Sequence, residues 1–151
     1  MANLVGTGIA DMRSKAGRLV AGAIIATIVL EMMMSVGAPK MLGISPMNPA
    51  DLLTSILGLE QGHSLGKVLH FGIALIAFPV GYMVVAFRLF PGPPIVKGAL
   101  WGILLWLAAM VIILPLAGQP MFFGFGKPMI AALVAHVVYG MILAAIVGKP
   151  D

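Results

Sequence analysis

The sequence contains no cysteine. That absence removes disulfides, thiolate metal sites and cysteine nucleophiles together. Charge is almost as scarce. Nine Lys and Arg and five Asp and Glu make up 9% of 151 residues, against about 25% in an ordinary soluble domain. Such a low charged fraction excludes a soluble domain carried on one hydrophobic arm. The net charge of +4 is spread thinly, so it reads as an orientation signal and not as a nucleic-acid surface. No Ser-His-Asp set, Gly-rich phosphate loop or soluble acid pair is visible, which sets hydrolase and kinase chemistry aside and favours a protein that is not an enzyme.

What the chain does have is apolar length. It is 61% hydrophobic, with a mean hydropathy of +1.11. A membrane-spanning helix needs about 20 mostly apolar residues. Four stretches qualify: residues 19–36, 65–87, 96–116 and 129–147. Gly37-Ala38-Pro39, Pro91-Gly92-Pro93-Pro94 and Gly118-Gln119-Pro120 separate them as breakers. Pro79 and Pro115 fall within spans, which lipid tolerates when a neighbouring group satisfies the freed carbonyl. The expected fold is all-α: one polytopic domain over 1–151, with four transmembrane helices in an up-down bundle. A short helix at about 49–60 is expected in the outer interface, with Asn48 as cap, Pro49 at the first position and Asp51 in the first turn.

Loop charge sets the expected orientation. Arg13, Lys15, Arg18, Arg88, Lys97 and Lys149 lie at one side, and Lys40, Lys67 and Lys127 at the other. The bias places both termini in the cytoplasm, as in a bacterial inner-membrane protein. No signal-peptide pattern precedes the first span, which reads as retained.

Ionisable groups inside such stretches are costly, and by default they mark function. Glu31, His70 and His136 are three of them. Ala23, Thr27, Glu31 and Ser35 recur every four residues and so share one helix face, which points the carboxylate into the bundle. Glu60, His63, Lys67 and His70 fall within about an 80° arc at 100° per residue. Ala132, His136, Gly140 and Ala144 form a third stripe, with Tyr139 beside it. Trp106 sits at mid-span, where core filling is its expected role. In an up-down bundle Glu31, His70 and His136 come to one level in the outer half of the membrane.

Three ligand chemistries suit that level. Haem b takes two axial imidazoles, His70 and His136. Small neighbours such as Gly140 would leave room for the ring, Trp106 and Tyr139 would line it, and Lys67 or His63 would reach the propionates. A single Zn, Fe or Cu ion would use Glu31, His70 and His136, with Glu60 and His63 as an outer Glu-x-x-His pair. A quinone or proton-linked site would use the titratable His and Glu groups directly. Against these stands a structural role, in which the same groups bond to one another and hold the helices together. The leading expectation is a non-catalytic subunit that binds a cofactor in the bilayer, within a larger membrane complex or as a homo-oligomer. The contrasting ones are a structural accessory subunit and a small proton-coupled carrier.

Pro115-Leu116-Ala117-Gly118, the Phe122-Phe123-Gly124 turn and the run Leu133-Val134-Ala135-His136-Val137-Val138-Tyr139-Gly140 resemble a group of uncharacterised small bacterial four-helix membrane proteins. The resemblance covers about the last third of the chain. It implies an integral membrane protein of four spans with His136 and Gly140 in the pattern, and it implies no activity.

Overall fold

In the computed structural model, residues 9–150 are described. Both ends of the expected domain, residues 1–8 and 151, lie outside the described residues, and with them part of the reading of the N-terminus as leaderless. The described residues form helices and turns with no strand among them. Four helices are long and apolar enough to cross a membrane: α1 (Ala16–Leu42), α3 (Ser64–Leu89), α4 (Pro94–Leu116) and α5 (Lys127–Val147). Between α1 and α3 lies the short α2 (Pro49–Ile56). Lipid dictates this choice, because a chain in hydrocarbon must satisfy its own backbone polar groups.

The four long helices close a ring in which α5 packs on α1 and α4, and α3 packs on both of the same helices. The tightest contact is α4 on α5. A Cβ added at Gly98 would land on the Gly140 carbonyl, and one at Gly102 on the His136 carbonyl. Only residues without a side chain let two backbones approach so closely. At one end of the bundle Asp11 takes two hydrogen bonds from the Arg88 guanidinium, one of them from Nη2 at 2.9 Å. The opposite end carries α2 and is called here the site end.

The α2 cap forms as its sequence suggests. Asn48 Oδ1 accepts from the Ala50 N–H at 3.2 Å, Pro49 opens the helix, and Asp51 lies in its first turn. Asp51 Oδ1 also accepts from the Gly62 N–H at 2.9 Å, which ties the loop after α2 back to its start.

The main departure from the sequence reading is in α1, which runs straight through Gly37-Ala38-Pro39 to Leu42. A π turn over Met33–Gly37 absorbs the proline. The same device recurs at Ile73–Ala77 before Pro79 and at Ala109–Ile113 before Pro115. In each case the turn ends two residues before a proline. Proline lacks an N–H and breaks the i→i−4 ladder, and a π turn is a common way for a helix to carry such a defect.

Candidate functional site

These three π turns determine the chemistry at the site end. Within them the Ala38, Phe78 and Leu114 N–H groups donate to the Met33, Ile73 and Ala109 carbonyls, five residues back. The next carbonyl in each helix, at Met34, Ala74 and Met110, would need residue 39, 79 or 115 as donor. All three are proline. Each of these carbonyls is thus left without its helix donor, and all three residues line a single cavity.

The cavity has a volume of about 370 Å³, within the usual range for small-molecule sites. Leu30 and Met34 of α1 form one wall, and His70, Ile73, Ala74 and Phe78 of α3 the next. Leu105, Ala108, Ala109, Met110, Ile113 and Leu114 come from α4, and Ala132 and His136 from α5. Met47, Asn48, Pro49, Leu52 and Leu53 roof it. Helices α3 and α4 pack together mainly at the end away from the site, through Tyr82–Ala86. Three of the cavity's lining residues are exposed, Ala108 on α4 and Asn48 and Gln119 at the site end.

The cavity's polar groups are few and well placed. His70 Nε2 and Glu31 Oε1 are 2.6 Å apart, with side chains 14% and 31% exposed, and they share a hydrogen bond between α3 and α1. This is the convergence expected from the two stripes, and it turns Glu31 inward. His136 Nδ1 lies 2.7 Å from the Ala132 carbonyl one turn back in α5. A carbonyl only accepts, so Nδ1 carries the hydrogen and Nε2 is left for the cavity.

Two of the freed carbonyls have found donors. The Met47 N–H of the roof donates to Met34 O at 3.3 Å. The buried Tyr139 hydroxyl donates to Ala74 O at 2.5 Å. For Met110 the helix has no donor left, since Leu114 N–H is engaged with Ala109 O and residue 115 is proline.

Other expected site residues lie elsewhere. Glu60 and His63 precede α3 and do not continue its face. Gly62 has a φ of 81° and breaks the helical register. His63 then caps α3, its Nδ1 accepting from the Leu65 N–H at 3.1 Å, and Glu60 is exposed. Lys67 is exposed and does not line the cavity. Gly140 leaves no room for a macrocycle, because the α4 backbone fills the space beside it. Trp106 packs edge-on to Phe122 and donates to Met129 O at 3.3 Å, outside the cavity. Tyr139 is a partner of the backbone and not a lining group. Among the described residues no three His, Asp or Glu side chains gather closely enough to hold a metal ion.

Sequence reasoning missed the roof and the Met34 and Met110 carbonyls. The signal for the carbonyls was present: each proline inside a helix marks a released acceptor four or five residues earlier.

No curated protein and no solved structure matches the chain. A family match extends over residues 12–149, nearly the whole sequence and well beyond the last third that carries the resemblance. The chain is a membrane protein and belongs to DUF6789, a family of unknown function.

Proposed function

We propose that this protein is a non-catalytic intramembrane binding protein that takes a lipophilic small molecule into the site-end cavity, its polar end against His136 and the His70 that Glu31 holds. The observation that carries the reading is the cavity itself: a largely apolar chamber at the site end, with a few polar groups in its lining. Ligand sites have this composition, apolar walls for affinity and a few polar groups for orientation. A bundle built only for packing would close such a space, because voids lose dispersion contacts. A quinone-class molecule, with a flat polar head and an apolar tail, suits both the walls and the polar groups.

A second reading is the cofactor one, haem b or a single Zn, Fe or Cu ion between His70 and His136. One observation favours it. Each imidazole has one nitrogen held by a protein group, Glu31 or the Ala132 carbonyl, which is how ligating histidines are oriented. The commitment of His70 Nε2 to Glu31 leaves only Nδ1 for a ligand, which makes this the weaker reading. Association with other subunits, or with a second copy, belongs to the same proposal and is tested by what co-purifies.

The test is made on the purified chain in lipid nanodiscs. 4-Dodecylphenol is expected to bind saturably at one site per chain, and Ala109→Trp, which fills the cavity, is expected to abolish binding while helix content is kept. Binding that survives the filling substitution contradicts the proposal. An absorption spectrum with a Soret band, or stoichiometric metal in the same preparation, moves the assignment to the second reading.

A further inference from the structure

The hydrogen-bonding sense of the cavity's inner wall limits which lipophile it recognises, and this step rests on the binding reading above. A neutral His136 ring that donates through Nδ1 to Ala132 O presents Nε2 as an acceptor. The Met110 carbonyl is an acceptor by nature. Proline at 115 and the engagement of the Leu114 N–H have removed both helix donors that would have closed it. The two residues that carry these acceptors, on neighbouring helices, both line one apolar chamber.

Donors are poorly represented there. Asn48 is spent on its own cap, with Oδ1 on the Ala50 N–H and Nδ2 on Asp51. Gln119 is the remaining amide in the lining, and it is exposed at the site end. His70 Nδ1 takes whichever role the proton shared with Glu31 leaves it. An acceptor left without a donor in an apolar site is a standing cost, and a ligand that supplies the donor removes it.

We infer that the cavity selects a lipophile whose polar end donates a hydrogen bond, a phenol or hydroquinone in preference to a ketone, quinone or ether. The donated hydrogen goes to His136 Nε2, with the Met110 carbonyl as the second acceptor. A protonated amine would also donate, but it would carry a charge into the bilayer, which is far more costly than a neutral hydroxyl. The three prolines thereby gain a common meaning. Two of the carbonyls they free hold the bundle together, through Met47 and Tyr139, and the third is left for the ligand.

The experiment uses the full chain in nanodiscs and two probes with the same tail, 4-dodecylphenol and 4-dodecylanisole, each referenced to empty nanodiscs. The phenol is expected to bind roughly tenfold tighter than its methyl ether. His136→Leu removes one acceptor and should narrow that ratio to within about threefold. Pro115→Ala restores an N–H that can engage Met110 O without altering a cavity side chain, so it tests the second acceptor even where His136→Leu does not fold. Equal affinity of phenol and ether for the natural chain overturns the donor inference while leaving the binding reading intact. A preference that survives both substitutions overturns it as well. Binding of neither probe removes the binding reading and this inference together.

Discussion

Tyr139 of α5 gives its hydroxyl hydrogen to the Ala74 carbonyl of α3 at 2.5 Å, and that carbonyl is free because Pro79 lies five residues on. The bond repairs one helix with the side chain of another. Tyr139 is fully buried, as is Pro79, so water does not reach either to take over.

Tyr139→Phe therefore leaves a buried acceptor unpaired and is expected to cost about 1–3 kcal/mol. Pro79→Ala supplies an N–H in the same turn. The double variant Tyr139→Phe, Pro79→Ala should be less destabilised than the sum of the two single changes, by about 1 kcal/mol or more. Thermal unfolding of the four proteins in one detergent measures this. Strict additivity would show that the hydroxyl does not serve the proline-freed carbonyl.

The Glu31–His70 pair makes a second prediction. Removing either partner leaves the other without its hydrogen bond inside an apolar bundle, so Glu31→Ala and His70→Ala should each destabilise the chain. Their combination should cost less than the sum, with a coupling of about 1 kcal/mol, the scale of hydrogen bonds between transmembrane helices. Glu31→Gln keeps a hydrogen-bonding side chain and should retain part of that coupling. A coupling near zero in a double-mutant cycle would mean that the two groups do not meet.

The α4–α5 contact makes a third. Gly98→Ala and Gly102→Ala put a methyl group onto the α5 backbone, which has no side-chain freedom to yield. Each should destabilise by about 1–3 kcal/mol, as overpacking does. Gly17→Ala is the control, since nothing lies within 4 Å of its added methyl, and it should be neutral or slightly stabilising. Equal effects at all three positions in thermal unfolding would argue against the close approach.

The bundle was legible in composition alone, because four apolar runs with so little charge leave few alternatives in lipid. The meeting of Glu31 and His70 was legible too, since four-residue stripes place both at one level facing inward. The outer rim was not. Periodicity was carried through Gly62, whose positive φ ends the register, so Glu60 and His63 were placed on a helix face they do not share with His70. Pro39 reads as a stop in the sequence, but lipid favours bending the ladder over leaving it, and α1 runs on to Leu42. The cavity was hidden because backbone carbonyls carry much of its character, and a side-chain pattern does not display them. Gly140 looked like space for a ligand and proved to be space for another helix.

Entry of a lipophile into the site-end cavity is tested most directly by photolabelling in the membrane. A long-chain phenol carrying a diazirine beside its ring is irradiated with the chain in lipid nanodiscs, and the labelled residues are mapped by mass spectrometry. The account predicts label at Met34, Phe78 and Met110, which line the cavity, and its loss when unlabelled 4-dodecylphenol competes. Label confined to outward residues such as Ile24, Ile28 and Ile112, undiminished by the competitor, would contradict it.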